Sequence, residues 1–414
     1  MAIKLKIART EKELDDVFKL RHDIYVVERK KFSGNQLPES RIVDRFDTLP
    51  SAVNLIAYHG DSPVATMRIN EDSMIGLPAE EYYDFSEIRK QAEQEAREEG
   101  KEPVIVGGSM LAIHKACRHQ RNVIYALFKM AAGVAQSMGA THGIGSIAED
   151  TLSLYGRIGF KALSNPVWNE GVGDTLVPIY AQFSEIYNWA FGQISQKVNS
   201  FWLENFCGQF QRILLSSGET LFSQDDNADH AYAVDEGWIS ISRTDPEGNE
   251  MVLANLPKGA LFGELALFDG EKRSATATAV TNAELLFIER EDMIEAIKRN
   301  PDHIEEILQH FAKRLRDTDN LAMIQAFSPQ TSRVNFVLNQ IWQSTIEDRK
   351  KPGLRIAKIG PEQIAKSAQV RESDVRKVLE LKKIAGQLDY GDHVIRFMEQ
   401  PPVEGAKAES ESPV

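Results

Sequence analysis

The stretch Phe262-Gly-Glu-Leu-Ala-Leu-Phe-Asp-Gly-Glu-Lys-Arg-Ser-Ala-Thr276 sets a carboxylate beside a glycine turn and an Arg–Ser pair nine residues further on. A carboxylate at Glu264, sheltered beside Gly263, suits a ribose hydroxyl as its donor. Arg273 is a planar, permanently charged donor that matches a phosphate. Ser274 adds a hydroxyl to the same anion, and the short helical run from Leu265 offers backbone N–H groups. The flanks agree with a β context. Over residues 207–300 short apolar runs alternate with turns such as SGET, SQDDNADH, DEGW, DPEGNE and PKGA. Turns every 8–12 residues or so predict an all-β barrel. Residues 302–325 then predict one long helix.

This segment resembles the phosphate-binding cassette of cyclic-nucleotide-binding domains, and the similarity runs over about residues 207–325. The family's glycines fall on Gly218, Gly237, Gly259 and Gly263. The resemblance implies a jelly-roll-like barrel in which Glu264 binds the ribose 2′-hydroxyl between Gly263 and Leu265. It implies that Arg273 and Ser274 bind the cyclic phosphate. Ser274 followed by Ala275 is similar to the cAMP type of cassette rather than the Thr-bearing cGMP type. The stretch AKRLRDTDNLA resembles the dimer helix of the catabolite activator protein. That implies a homodimer and an adenine contact at Thr318; the family's neighbouring Ser is Asp319 here.

Residues 330–400 resemble the winged helix of the same CRP/FNR-like family. TSRVNFVLNQIW matches its first helix, IGPEQIAKSAQVRESDVRKVLELKKI its helix–turn–helix and LDYGDHVIRF its wing. Ala365, Val370, Val375 and Val378 are the expected apolar staples. The block holds 13 Lys and Arg against 9 Asp and Glu, a net of +4 in an acidic chain. A basic end fits DNA as a partner, with Arg371, Arg376 and Lys377 as the implied contacts. Glu372 stands where the family has its base-reading Arg, and Ser373 and Asp374 follow it. An acid there can accept from cytosine but repels the phosphate backbone. The tail 401–414 is Pro-, Glu- and Ser-rich and is expected to be disordered.

Residues 1–180 mix the two periods. Leu5–Ile7, Asn54–Tyr58, Pro63–Ile69 and Val104–Ile113 predict strands; Glu11–Tyr25 and Val123–Met138 predict helices. This is the pattern of an α/β layer domain. Ser86–Glu102 carries almost no apolar stripe and is expected as a solvated helix or insertion. Residues 181–206 predict an amphipathic linking helix, with Phe183, Ile186, Trp189 and Ala190 at helical spacing.

Tyr155-Gly-Arg-Ile-Gly-Phe160 resembles the YxxxGF close of the Gcn5-related (GNAT) acyltransferase fold. In that fold the turn after the central strand binds an acyl carrier's pyrophosphate. Here the turn is CRHQRNVI, which lacks the usual glycines. The resemblance implies carrier contacts at Ile113, Arg118, Arg121, Asn122 and Val123, and a proton donor to the leaving thiolate at Tyr155. The front half is similar to acyl-homoserine-lactone and N-acyl amino acid synthases. Their Arg–aromatic pair falls on Arg21 and Tyr25, their paired acids on Asp44 and Asp47, and their strand Arg on Arg68. The family's Glu ahead of the acids is Ile42 here, and the Glu and Arg of its fourth strand are Gly107 and Met110. The resemblance implies that Arg21, Asp44, Asp47, Arg68 and Tyr155 carry the chemistry. A carboxylate such as Asp47 would take the proton of an amine acceptor, and backbone N–H groups of a splayed strand would hold the oxyanion.

The bulk properties set bounds on these readings. The chain has 414 residues, a net charge of −13, 42% apolar and 26% charged residues. That length spans two or three domains of ordinary globular composition. So acidic a chain is no nonspecific nucleic-acid coat. The two cysteines, Cys117 and Cys207, give neither a metal-ligand spacing nor a disulfide framework. A cytoplasmic protein with no metal is expected, and no apolar run is long enough to span a membrane. The reading is therefore a multidomain α+β chain: a GNAT-like domain over 1–180, a linking helix over 181–206, a cyclic-nucleotide domain over 207–325 and a winged helix over 330–400. The leading functional expectation is an acyltransferase that uses acyl-CoA or acyl carrier protein and is regulated by cAMP. The alternative is a cAMP-responsive DNA-binding regulator with an N-terminal sensor.

Overall fold

The structure, a computed structural model, describes residues 2–32, 40–98, 100, 102–192, 211–228, 230–248, 250–299, 303–345, 351, 353–399 and 401. The tail residues 402–414 and the linking residues 193–206 lie outside them. The chain divides into two compact units, Met1–Leu214 and Leu215–Val414.

The first unit runs β1 (Ile3–Ile7), α1 (Glu11–His22), β2 (Val53–His59), β3 (Ser62–Glu71), α2 (Ser86–Glu98), β4 (Ile105–Ile113) and α3 (Arg121–Ser137). It continues with β5 (His142–Ala148), α4 (Leu152–Ile158), β6 (Lys161–Ala162), β7 (Val167–Asn169), β8 (Asp174–Gln182) and α5 (Phe183–Phe191). Its sheet has the order β1-β2-β3-β4-β5-β8-β6, with β7 also on β8. Neighbours are antiparallel except β4 and β5. α3 packs on the sheet through Val123, Ala126, Leu127, Met130 and Val134, all buried.

Two departures from regular geometry shape this unit. α1 opens on a capping box between Thr10 and Glu13, but its far end is not the continuous helix expected to Tyr25. After His22 the chain widens into a π-turn over Asp23–Glu28, closed by Arg29 N–H on the Ile24 carbonyl at 3.0 Å. Branched Ile24, Val26 and Val27 crowd a tighter turn, and the Tyr25 hydroxyl is held by the Leu111 carbonyl at 2.7 Å. The second departure is a bulge. β3 pairs Thr66 with Ala112 and Arg68 with Ser109, so Met110 and Leu111 together oppose Met67. Met110 takes φ +53°, a left-handed value that non-glycine residues avoid.

α2 is the helix expected over this stretch, with one buried edge. It exposes its charges but buries Ala92 and Ala96, and Arg89 is clamped by Glu80 at 2.7 Å and by Asp72. The amphipathic segment differs from expectation. Residues 181–182 finish strand β8, and α5 buries Phe183, Ile186, Ala190 and Phe191 in the first unit.

β9 (Gln211–Leu215) runs across the boundary. The second unit follows with β10 (Thr220–Phe222), β11 (His230–Glu236), β12 (Ile239–Thr244), β13 (Glu250–Leu256), β14 (Leu261–Phe262), α6 (Leu265–Asp269), β15 (Thr276–Ala279) and β16 (Ala283–Glu289). These strands form two facing ladders, β14-β11-β16 and β10-β15-β12-β13, in a jelly-roll-like arrangement. Then come α7 (Arg290–Arg299), α8 (His303–Phe327), α9 (Gln330–Ser344), β17 (Arg355–Ala357), α10 (Pro361–Ala368), α11 (Glu372–Ile384), β18 (Leu388–Gly391) and β19 (Val394–Phe397). α10 and α11 meet through a left-handed Gln369, and β17-β19-β18 form a small sheet. Ala365, Val370, Val375 and Val378 lie in one apolar cluster, which Trp238, just before β12, and Val280, just after β15, join. Asn255 on β13 donates to Ser367 on α10 at 2.6 Å.

Candidate functional site

In the first unit, Arg21 from α1 and Arg68 from β3 are both fully buried. Arg21 donates to both Asp47 oxygens at 3.0 and 3.1 Å and also to Asn54. Arg68 grips Asp44 with both terminal nitrogens, at 2.6 and 2.9 Å, and reaches Asp47 at 2.8 Å. Its Nε donates to Ser109 at 3.1 Å. Two guanidiniums and two carboxylates therefore balance within one network, as buried charges require. The turn itself sets the acids: Asp44 caps it by accepting from Phe46 N–H at 2.8 Å, and Asp47 accepts from Asp44 N–H at 3.2 Å. Phe46 sits under the cluster with the Arg68 guanidinium 5.7 Å from its ring centre.

The sequence pattern brings Arg21, Asp44, Asp47 and Arg68 together, but one expected role changes. The Asp47 side chain is 1% exposed and enclosed by two guanidiniums. Burial alone would raise its carboxyl; Arg21 and Arg68 outweigh that and hold it below its usual value. A carboxylate so held is a poor base and has no path to an amine. It positions the two arginines. Asp44, 31% exposed at its side chain, is the acid that lines the neighbouring cleft. Asn54, the second partner of Arg21, escaped sequence reasoning because a strand Asn carries no pattern.

That cleft, about 150 Å³, lies between the π-turn, the Asp44 turn and the far halves of β4 and β5. β4 and β5 pair only over Ile105–Gly107 against His142–Ile144. Beyond that point they part, and Ser109, Met110, Leu111, Ser146 and Ala148 line the opening. Tyr25 also lines it, and burial pushes its hydroxyl up to about 12. A second cavity, about 50 Å³ and almost wholly apolar, lies where Gly108, Gly143 and Gly145 meet Ala131, Ala135 and Tyr155. A Cβ on Gly108 would stand 2.8 Å from Met67 Cε, and one on Gly145 would stand 3.3 Å from Ile179 Cγ1. Tyr155 is packed edge-on to Phe128 and Phe160, and burial raises its hydroxyl.

At the exit of β4, Arg118 donates to the Ile113 carbonyl at 2.9 Å and to Glu28 at 2.7 Å. Asn122 is exposed and Val123 buried in the first turn of α3. The Arg121 side chain lies outside the described residues. Arg118, His119 and Arg157 line a shallow opening beside them.

In the second unit, Glu264 is fully buried. Its Oε1 accepts from Arg314 of α8, and His310 stands 3.9 Å away. Burial raises the carboxyl, but His310 and Arg314 outweigh it, so Glu264 is held ionised. Its Oε2 has no donor among the described residues. A buried carboxylate oxygen without a donor, next to a pocket, fits a ligand hydroxyl. Arg273 donates to the Gly263 carbonyl at 2.7 Å and to the His230 carbonyl at 2.8 Å, with its guanidinium 4.3 Å above Phe222. Gly263 has φ +72°, and a Cβ there would fall 2.7 Å from Arg273 Nη1. Gly263, Leu265, Arg273, Ser274 and Arg314 line one pocket. Thr318 is exposed and donates to the Arg314 carbonyl at 2.9 Å. Arg314 was not foreseen; its position one helical turn before Thr318 was the available signal.

On α11, Arg371 is exposed at the N-cap. Arg376 pairs with Glu372 at 2.7 Å and Asp392 at 2.9 Å, and Lys377 pairs with Asp374 at 2.9 Å. No helix among the described residues is long and apolar enough to cross a membrane.

Two family models match the chain. Residues 16–182 match the family model described as N-acyl amino acid synthase FeeM. Residues 212–300 match that of the cyclic nucleotide-binding domain. The chain is 38% identical over 129 residues to a cyclic AMP receptor protein of Thermus thermophilus, covering 31% of this chain and 60% of that protein. It is 29% identical over 166 residues to the cAMP-activated global transcriptional regulator CRP of Salmonella typhimurium, covering 40% of this chain and 79% of that one. The chain thus spans 60% of the length of the first curated relatives it matches. Among solved structures, FixK2 from Bradyrhizobium japonicum is similar with a TM-score of 0.41 and 16% identity, over 46% of this chain and 92% of that one.

Proposed function

From an N-acyltransferase domain of the N-acyl amino acid synthase type, joined to a cyclic nucleotide-binding domain, we propose a cyclic-nucleotide-regulated enzyme that moves an acyl group from a carrier thioester to an amine. One observation supports this most. The Arg21–Asp47–Arg68–Asp44 network forms the wall beside a cleft that opens where β4 parts from β5. The thioester of acyl-CoA or acyl carrier protein lies along the bulge, with Ile113, Arg118, Arg121, Asn122 and Val123 at the carrier end. Its acyl chain enters the apolar cavity under Gly108 and Gly145. The amine enters from the cleft and attacks the carbonyl carbon; its proton leaves through water held at Asp44. Backbone N–H groups of the bulge stabilise the oxyanion. The C–S bond breaks, the amide forms and the thiolate takes a proton from Tyr155.

In the second domain the ligand is cAMP. Glu264 and Arg314 take the ribose, Arg273 and Ser274 the phosphate, and Thr318 the adenine across a homodimer along α8. The site lies in the cytoplasm. Thiol release from a panel of acyl-CoA and acyl-carrier thioesters, with amino acids as acceptors and with and without cAMP, tests the whole reading. A rate that changes with cAMP, and loses the response in Arg273→Ala, is the expected result. Rates indifferent to cAMP in both proteins overturn the regulation.

The CRP relatives favour a second reading, a DNA-binding regulator with a sensor in front. Against it, Arg376 and Lys377 are held by acids on their own helix and the wing turn. Salt-dependent retention on DNA, with and without cAMP, separates the two readings.

A further inference from the structure

Arg273 is seated from its face as well as from its edge. The two backbone carbonyls that accept from its terminal nitrogens, those of Gly263 and His230, aim the planar fork. Its flat face lies over the Phe222 ring, 4.3 Å from the ring centre, with the Tyr232 ring centre at 5.7 Å. Both distances fall within the reach of a cation–π contact, and Arg273 is buried, where such a contact counts for most. Phe222 ends β10 and lines the same pocket as Gly263, Arg273 and Ser274. Its ring is backed by other rings. It stacks on Tyr232 at 5.9 Å and leans on Phe262 at 6.1 Å, and those two stack on each other at 5.4 Å. Tyr232 and Phe262 are both buried, so the platform under the guanidinium is packed in place. Gly263 makes the meeting possible, since a Cβ there would stand 2.7 Å from Arg273 Nη1 and 3.6 Å from Phe222 Cε1.

We propose that Phe222 is the positioning residue of the phosphate site: its ring face holds the Arg273 guanidinium ready for the cyclic phosphate. This rests on the cyclic-nucleotide reading of the pocket and deepens it by assigning the support of the phosphate-binding cation to one aromatic ring. The choice of support matters chemically. A carboxylate beneath Arg273 would neutralise the charge that the phosphate needs and would repel the anion. A ring offsets part of the cost of burying the cation, takes up none of its N–H groups and leaves its charge available. Affinity for the nucleotide therefore depends on the electrons of the Phe222 ring as well as on its shape.

The test uses the full chain and calorimetric titration with cAMP and with cGMP. Phe222→Leu keeps an apolar side chain but removes the ring face, and should raise Kd for the bound nucleotide about 5–30-fold. Phe222→Tyr keeps the face and should stay close to wild type. The discriminating variant carries a trifluorinated phenylalanine at Phe222. Fluorine draws electron density from the ring face while the shape is nearly kept, so most of the loss seen in Phe222→Leu should appear here too. Its melting temperature without ligand should match wild type, because the packing against Tyr232 and Phe262 survives. A trifluorinated protein that binds as tightly as wild type means the ring acts by shape alone, and that overturns the inference. Phe222→Leu with unchanged affinity overturns it as well. Either result leaves nucleotide binding standing. Wild-type protein that binds neither nucleotide overturns the nucleotide reading, and the inference falls with it.

Discussion

At Asp47 a single carboxylate serves two buried guanidiniums, and that makes it the most sensitive side chain of the first unit. Asp47→Asn leaves Arg21 and Arg68, both fully buried, short of a negative charge. The expected cost is about 3–5 kcal/mol, read as a fall of the order of 10 °C in melting temperature. The pH dependence has a definite sign. Asp47 is held below its usual value in the folded chain, so its contribution is present above the unfolded carboxyl pKa of about 3.9 and is lost as pH falls through the folded value. The stability gap between wild type and Asp47→Asn should therefore be full at neutral pH and narrow below about pH 4. Thermal melts of both proteins from pH 7 to pH 3 check this; a gap that stays constant contradicts it. The residue scale also shows what a sequence can carry. Arg21, Asp44, Asp47 and Arg68 were legible because a shared pattern puts charged residues where a fold buries them. The division of labour between the two acids was not. Depth decides it, and Asp44 and Asp47, three apart on a tight turn, differ only in which one faces the cleft.

At the scale of elements, the π-turn and the bulge are the parts that periodicity could not supply. A helix reading of Glu11–Tyr25 sees apolar spacing but not the extra residue per turn, and a strand reading of Val104–Ile113 sees alternation but not the insertion at Met110–Leu111. α2 was expected as a helix, but its buried face was not, because that face is two alanines, too small to register as a stripe. The π-turn leads to a prediction of its own. Glu28 occupies Arg118, the cation at the proposed carrier end, and the pair is about a third exposed. Glu28→Gln frees Arg118 for a phosphate while the fold stays intact, since part-exposed pairs contribute only about 0–1 kcal/mol. KM for the acyl thioester should fall several-fold with the KM for the acceptor unchanged; a steady-state titration of each substrate reads both, and an unchanged donor KM contradicts the carrier role of Arg118. The apolar cavity gives the companion test. Ala131→Leu adds carbons to a space of about 50 Å³ and should move the preferred acyl chain to shorter lengths across a thioester series. An unchanged length preference would place the chain elsewhere.

At the scale of the whole molecule the open question is what joins a nucleotide pocket to a thioester cleft, and the argument turns on α8. This helix exposes Ile304, Leu308, Leu315, Met323 and Phe327 while its Arg314 holds Glu264 in the pocket. Spacings of four, three and four through Ile304, Leu308, Phe311 and Leu315 give the heptad-like pattern of a coiled-coil seam, which fits the proposed homodimer. With that apolar stripe and with Arg314 holding the pocket carboxylate Glu264, α8 is the element that, on the proposed function, a bound nucleotide and a partner copy would both bias. Leu308→Glu with Leu315→Glu should therefore give monomers by equilibrium sedimentation and weaken cyclic-nucleotide binding in the same protein. Coupling to the first unit must obey reciprocity: if cAMP changes affinity for the acyl thioester by some factor, typically about 5–150-fold, the thioester changes affinity for cAMP by the same factor. Two calorimetric titrations, each ligand with and without saturating amounts of the other, measure it. Equal factors above one establish a regulated enzyme, and the monomeric variant should bring both toward one. Factors of one in the wild-type protein would mean two activities that share a chain without sharing a state.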